Sequence, residues 1–159
     1  MSSPFSISVV GEGDLADLLP LMRGYCEFYG TAPGDDALER LARACLDDPR
    51  ATGTQLIARA PGGDAIGFAT MYWTWSSTRA EPIGLMNDLF VTPAARGTGL
   101  GRALIDACAR LTASRGRKIL EWETAPDNHT AQRVYDATPA ERSEWLAYDW
   151  DLESSPPTP

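Results

Sequence analysis

The stretch Arg96-Gly97-Thr98-Gly99-Leu100-Gly101 lies between an apolar run, Leu85 to Val91, and a segment with helical apolar periodicity, Leu100 to Thr112. This order predicts a strand, a glycine-rich loop and a helix. Such a loop presents backbone N–H groups to an anion, because the first turn of a helix has no internal acceptors for them. Glycine also lets the backbone approach a ligand closely. The stretch therefore predicts a phosphate-binding loop, with a simple tight turn as the alternative.

The spacing of the glycines excludes two common phosphate loops. No lysine follows Gly101, so the G-x-x-x-x-G-K-[ST] pattern of ATP-binding proteins is absent. Gly101 also follows Gly97 and Gly99 one residue too early for the dinucleotide pattern G-x-G-x-x-G. Kinase-type and dinucleotide binding are therefore disfavoured.

Length and composition limit the remaining classes. A chain of 159 residues favours one domain. Its net charge of −8 argues against nucleic-acid binding, and it suits either a cationic substrate or simple solubility. With one histidine and no C-x-x-C pair, we expect no metal site. The odd number of cysteines and the absence of a secretory signal at the N-terminus predict a cytoplasmic protein, and no apolar run is long enough to cross a membrane.

Hydrophobic periodicity predicts the element order β-α-α-β-β-β-α-β-α-β, a mixed α/β sheet with the glycine loop near its centre. The helices fall at residues 14–30, from Asp35 or Asp36 to before Pro49, at Leu100–Arg115 and at Thr130–Ala137. The strands fall at Phe5–Val10, Gln55–Ala60, Ala65–Trp75, Ile83–Val91, Lys118–Thr124 and Trp145–Leu152. Residues 1–152 are expected to form the domain, and the Ser/Pro-rich residues 153–159 a disordered tail.

Two motifs give the chain a family resemblance. Leu89-Phe90-Val91-x-Pro93-x-x-Arg96-Gly97-x-Gly99-x-Gly101 resembles the acetyl-CoA motif of the GNAT N-acetyltransferases, and Asn128-x-x-Ala131-x-x-x-Tyr135 is similar to the companion motif. The resemblance implies a mostly antiparallel sheet flanked by helices, with a splayed strand pair that binds acetyl-CoA. Asn87 to Val91 and Glu144-Trp145 further resemble the diamine (spermidine/spermine, thialysine) acetyltransferase branch, and this implies a homodimer whose interface includes the last strand region.

The resemblance also implies roles for individual residues. Tyr135 is the expected general acid beside the CoA sulfur, with a core tyrosine as the alternative. The strand end would pair with the pantetheine arm, and the loop would hold the pyrophosphate. The implied cofactor-binding residues are Leu89, Phe90, Val91, Arg96, Gly97, Thr98, Gly99, Leu100, Gly101, Arg102, Asn128, Ala131 and Tyr135. For Asn128, a plain helix cap is the alternative.

The general base stays open at this point. Asp88, next to the cofactor strand, is the first candidate. The others are Glu121 and Glu123 on the following strand, and Glu27 with Tyr25 on the first helix. All are also compatible with solvated surface acids. The expected acceptor-binding residues are Tyr25, Glu27, Asn87, Asp88, Glu123 and Glu144.

The aromatic side chains of Tyr72, Trp73 and Trp75 suit core packing or a dimer interface, or a cation–π wall for an amine.

These observations predict an N-acetyltransferase that moves the acetyl group of acetyl-CoA directly to a small primary amine in a ternary complex, with Tyr135 and Asp88 as catalytic residues. The alternatives are a non-catalytic CoA-binding sensor module and a protein N-acetyltransferase. Neither nucleic acid nor membrane is an expected partner.

Overall fold

Five strands form one sheet in chain order in the computed structural model, which describes residues 4–158. The first four strands pair antiparallel, and the fourth and fifth pair parallel. The strands are β1 (Ser6–Val9), β2 (Gly53–Arg59), β3 (Ala65–Ser76), β4 (Glu81–Val91) and β5 (Leu120–Glu121). The helices are α1 (Leu15–Phe28), α2 (Asp35–Asp47), α3 (Leu100–Ser114) and α4 (His129–Asp136). The predicted mixed, mostly antiparallel α/β sheet is confirmed.

The two faces of the sheet carry different helices. Ile57 of β2 and Phe68 of β3 pack with Leu18 of α1 in one buried cluster that also includes α2. Met71 of β3 and Leu104 of α3 belong to the cluster on the opposite face. Because successive side chains of a strand point to opposite faces, β2 and β3 are apolar on both sides and fill the middle of the molecule.

Left-handed glycines mark both boundaries of α3. Gly97 and Gly99 have φ angles of 77° and 87°, and Gly99 is the N-cap residue immediately before the helix. Gly116, at φ 71°, lies two residues beyond the end of the helix and terminates it. L-residues with a side chain rarely adopt these angles, so the glycines at these positions decide where α3 starts and stops.

Two predicted strands differ from the structure. The segment Lys118–Thr124 was expected to be a strand throughout, yet only Leu120 and Glu121 pair with β4. The prediction of a strand at Trp145–Leu152 was wrong: within residues 4–158 this segment has no strand partner and its backbone is irregular. Its alternating pattern suits a strand, but a strand needs a neighbour for its backbone hydrogen bonds, and in this chain the sheet ends at β5.

Residues 1–3 and Pro159 lie outside the described residues. The start of the N-terminal segment, where no secretory signal is expected, and the last residue of the predicted tail therefore lie outside them too. In the part of the chain that is described, no helix is both long and apolar enough to cross a membrane.

Candidate active site

The outer edge of β4 is unpaired over half of its length. β4 pairs with β3 from Glu81 to Val91, whereas it pairs with β5 only at Gly84 and Leu85. Beyond Leu85, no strand of residues 4–158 bonds to this edge. An unpaired strand edge offers alternating N–H and C=O groups to an extended ligand. The predicted splay between these two strands is therefore present.

A β-bulge at Asn87 changes the face of the sheet to which the next side chain of β4, Asp88, points. Thr70 of β3 lies opposite Asp88 and Met71 lies opposite Met86, so Asn87 is an extra residue without a partner. Met86 packs into the cluster under α3, while Asp88 faces Tyr25 of α1. In a regular strand these two residues would share a face. The bulge thus directs a carboxylate toward α1 while β4 keeps its apolar contacts with α3.

Asp88 is a buried carboxylate without a basic partner. It is 9% exposed, and the Asn87 side-chain amide donates a 2.9 Å hydrogen bond to it. Burial raises the pKa of Asp88, and hydrogen bonds from Thr70, Asn87 and Tyr25 oppose that rise. No arginine or lysine of the described residues forms an ion pair with it. The charge of this carboxylate is therefore left for a ligand to balance.

A cavity of about 290 Å³ lies above Asp88, between the sheet and helices α1 and α2. Asp88 and Asn87 form its polar end, and Phe68 and Leu38 are among its apolar walls. Tyr25 also borders it. Asp88 thus both lines the cavity and lies in the half of β4 whose outer edge is unpaired.

Tyr135 on α4 has a packed ring and an unpartnered hydroxyl. Its ring lies edge-to-face on Trp122 at a centroid distance of 5.6 Å. Burial, with a smaller contribution from Tyr29, raises the pKa of Tyr135 to about 12. Among the described residues, no group hydrogen-bonds to its hydroxyl. Tyr135 and Asp88 both contribute electrostatically to the raised pKa of Tyr25, so both lie on the side of the molecule where Tyr25 is.

The loop before α3 holds a run of free backbone donors. The N–H groups from Gly97 to Arg102 have no acceptor within the described residues. A Cβ at Gly97 or Gly99 would meet no atom within 4 Å, so the inner side of the loop is open. Arg96 spans the entrance, with its Nε donating to the Val91 carbonyl at 3.2 Å. Consecutive free N–H groups at a helix N-terminus form a site for a phosphate-like anion.

Comparisons with known proteins agree with this geometry. The sequence profile of the acetyltransferase (GNAT) family matches residues 18–137. The chain belongs to the GNAT acetyltransferase family. It is an acetyl-CoA-dependent N-acetyltransferase, and acetyl-CoA is its co-substrate.

Individual relatives fit the same assignment. The chain is 32% identical to the uncharacterized N-acetyltransferase YhfO of Bacillus subtilis (strain 168), over 77% of this chain and 80% of the relative. It is 29% identical to the aminoglycoside N(6')-acetyltransferase type 1 of Stenotrophomonas maltophilia, over 72% and 74%. Its fold resembles that of the aminoglycoside N-acetyltransferase AAC(6')-Iy in complex with CoA, with a TM-score of 0.78, 24% identity and coverage of 95% and 97%.

Several predicted binding side chains of this GNAT acetyltransferase are engaged within the protein. Thr98 donates to the Ala95 carbonyl at 2.7 Å, and Arg102 pairs with Asp106 at 2.9 Å. Asn128 caps α4 by accepting a 3.1 Å hydrogen bond from the N–H of Ala131. Because these side chains are engaged, the groups of the loop that are available to bind a cofactor are mainly backbone groups. Leu100 is buried in the core, so it too offers only its backbone.

The other predicted acids lie apart from the cavity lining. Glu121 forms an ion pair with Arg79 at 2.6 Å. Glu27, Glu123 and Glu144 are exposed. Glu144 belongs to the irregular segment after α4 and not to a strand beside the site. Of the candidate general bases, Asp88 alone lines the cavity within the described residues.

The two tryptophans of the aromatic cluster on β3 differ in exposure, one lying in the core and the other at the surface. Trp73 is buried, donates to the Pro49 carbonyl at 2.9 Å, and lies 4.8 Å from the guanidinium groups of Arg115 and Arg117. Its cation–π partners are therefore the protein's own arginines rather than an amine substrate. Trp75 is 71% exposed.

Sequence reasoning missed the cavity walls and the bulge. Met22, Cys26, Leu38 and Phe68 fit an ordinary apolar core, and their spacing carries no sign of a cavity. The bulge had a weak signal: the polar pair Asn87-Asp88 interrupts an otherwise apolar strand.

Proposed function

We propose that this N-acetyltransferase transfers the acetyl group to the primary amine of a small molecule, directly and within a ternary complex. Asp88 is the observation that carries the proposal. A buried carboxylate without a basic partner is costly, and a cationic amine in the cavity would provide the missing counter-charge. The named aminoglycoside acetyltransferase relative supports a small-molecule acceptor.

The chain's backbone provides the cofactor site in this proposal. The free N–H groups from Gly97 to Arg102 bond the pyrophosphate, with Arg96 adding positive charge. The unpaired edge of β4 at Leu89, Phe90 and Val91 bonds the pantetheine arm as an added strand would. This orientation points the reactive end of the cofactor at the polar end of the cavity.

Asp88 and Tyr135 divide the proton transfers. When bound, acetyl-CoA supplies an acetyl thioester. Asp88 holds the acceptor's ammonium group and takes its proton, and its raised pKa brings it closer to the operating pH than an ordinary carboxylate. As the new C–N bond forms and the C–S bond breaks, the Tyr135 hydroxyl donates a proton to the departing sulfur, and the nitrogen releases its second proton to solvent. Solvent then restores the tyrosine and removes the proton from Asp88.

A thiol-release assay with acetyl-CoA and a panel of amines tests this function. The panel includes simple monoamines, diamines and polyamines (the class implied by the resemblance at Asn87–Val91), an aminoglycoside and a lysine-containing peptide. We expect amine-dependent release of CoA thiol and formation of an N-acetylated small molecule, identified by mass spectrometry. Acetyl-CoA binding without turnover of any amine would indicate a sensor module, and turnover of the peptide alone would indicate a protein acetyltransferase.

The protein also works as a homodimer in this proposal. Trp145, Leu146, Tyr148, Trp150 and Leu152 are all exposed in the chain as described. Their alternating pattern suits a strand, and β5 at the sheet edge offers a short, unpaired border for one. Pairing this segment with a second copy would cover these side chains. Three free cysteines support a reducing, cytoplasmic setting.

A further inference from the structure

We infer that the acceptor is a monoamine with a compact apolar body that carries neither a carboxylate nor a second ammonium group. The inference rests on the proposed function, since it concerns the chemistry of the cavity above Asp88. It narrows the substrate class from primary amines in general to amphipathic ones with a single charge.

The cavity lining contains one charged side chain. Besides Asp88, its walls include Met22, Leu38, Leu41 and Phe68, and no arginine, lysine, histidine or second acid among residues 4–158 lines it. The cavity is partly open to solvent, but a ligand charge held against its apolar walls would lose part of its water without gaining a partner, and an unpaired charge is costly to bury. A diamine that lies along these walls places its second ammonium group there, and an amino acid places its carboxylate close to that of Asp88.

The polar groups beside Asp88 are already in use. Asn87 donates to Asp88 at 2.9 Å, and Tyr25 lies beside the same carboxylate. They keep the carboxylate oriented and leave few donors or acceptors for the hydroxyl groups of a sugar. An aminoglycoside, which is rich in hydroxyl and amino groups, would have many of them unpaired in this cavity.

The size of the cavity agrees with a compact body. Its volume of about 290 Å³ is at the lower limit of small-molecule sites. With the amine at Asp88, the rest of the ligand extends toward Leu38 and Leu41 of α2. Short alkyl amines and arylalkyl amines satisfy both the charge and the volume.

Matched amines test the inference by activity. We expect kcat/KM for n-pentylamine to exceed that for 1,5-diaminopentane, and that for 2-phenylethylamine to exceed that for phenylalanine, each by about tenfold or more. These pairs keep the body and add one charge. A diamine, amino acid or aminoglycoside that matches or exceeds the monoamines would overturn the inference while leaving the proposed acetyl transfer intact.

A charge placed in the wall supplies a second test. Leu41→Asp puts a carboxylate opposite Asp88 in the lining, and Leu41→Asn is its neutral control. We expect Leu41→Asp to shift the kcat/KM ratio of 1,5-diaminopentane to n-pentylamine by about tenfold toward the diamine, and Leu41→Asn to leave that ratio near the wild-type value. An equal shift in both variants, or none in either, would contradict the assigned lining.

Cys26 provides a binding readout that does not depend on catalysis. It borders the cavity and is half-buried, whereas Cys45 and Cys108 are buried. We expect n-pentylamine to slow the alkylation of Cys26 by iodoacetamide, followed by mass spectrometry, and the same concentration of 1,5-diaminopentane to have little effect. If no amine is acetylated, the proposed function fails. The protection of Cys26 still tests the inference in that case, because equal protection by both amines, or by neither, would overturn it.

Discussion

The ring and the hydroxyl of Tyr135 have different roles, and one substitution can remove the hydroxyl while keeping the ring. Its ring packs on Trp122 and contributes to the core, while its hydroxyl has no partner among the described residues. Tyr135 is only partly buried, so its hydroxyl can be reached from outside the core. A packed ring with a free hydroxyl is suited to donating a proton to a ligand.

Tyr135→Phe keeps the ring and removes the proton donor. We expect kcat to fall by about 100-fold or more, because a positioned general acid typically contributes that much. The affinity for acetyl-CoA, measured by calorimetry, and the melting temperature should change little. Tyr148→Phe, on the exposed segment after α4, is the matched control and should behave as wild type. A Tyr135→Phe enzyme with normal turnover would remove this residue from catalysis.

Asp88→Asn removes the buried charge while keeping the side-chain shape. The pKa of Asp88 is raised in the fold, so ionisation costs stability as the pH rises above the unfolded pKa and through the folded one. We expect wild type and variant to differ least in stability at low pH, and the variant to be the more stable at pH 7. Denaturant unfolding at a series of pH values measures this difference.

The same substitution has a kinetic signature. If Asp88 is the base, wild-type kcat/KM falls as the pH drops through its raised pKa, and the variant loses both this acidic limb and most of its activity. Glu27→Gln, which removes an exposed acid from α1, is the control and should keep the wild-type pH profile. A variant profile with an unchanged acidic limb would assign the base to water or to another acid.

At the scale of elements, two local irregularities build the site. The bulge at Asn87 turns Asp88 toward α1, and the left-handed glycines before α3 leave a run of backbone donors without acceptors. Both are departures from regular strand and helix geometry. Neither is visible in hydrophobic periodicity, which reports regular elements. The loop was nevertheless predicted, because its glycines form a motif, whereas the bulge was not.

Gly99→Asp tests the loop. A Cβ at φ 87° is strained, and the carboxylate would occupy the side of the loop assigned to the pyrophosphate. Gly63→Asp is a matched control: Gly63 has φ 96°, also has open space around its Cβ, and lies in the β2–β3 turn. We expect both variants to lose about 1 kcal/mol of stability, and Gly99→Asp alone to lose acetyl-CoA binding by calorimetry. Equal binding in both would contradict the assignment of the loop.

At the scale of the whole molecule, the apolar segment after α4 packs against no element of residues 4–158. Monomeric proteins seldom expose such a continuous apolar row. Aromatic side chains bury about 150–250 Å² each, so the three in this segment offer about 450–750 Å² per copy. With its two exposed leucines, the segment approaches the ~800 Å² per partner of a specific interface. A reciprocal exchange between two copies would add a strand to each β5 edge and would create the same contact twice.

Light scattering after size exclusion checks this prediction. We expect wild type to be a dimer and the double variant Trp145→Asp/Trp150→Asp to be a monomer with lower melting temperature. Val9→Asp, which changes an exposed apolar residue on the opposite edge strand, β1, should remain dimeric. A monomeric wild type at tens of micromolar would exclude this interface.

The order of elements as far as α4, the mixed sheet, the glycine loop and the family all followed from the sequence, because periodicity, turn residues and motifs are local signals. The tertiary structure decided what depends on distant neighbours. Asp88 is a better candidate than Glu27, Glu121 or Glu123 because it is buried, bulge-directed and unpaired, which no spacing reveals. Trp145–Leu152 has the pattern of a strand, yet it forms none in this chain, because a strand exists only where another backbone completes its hydrogen bonds.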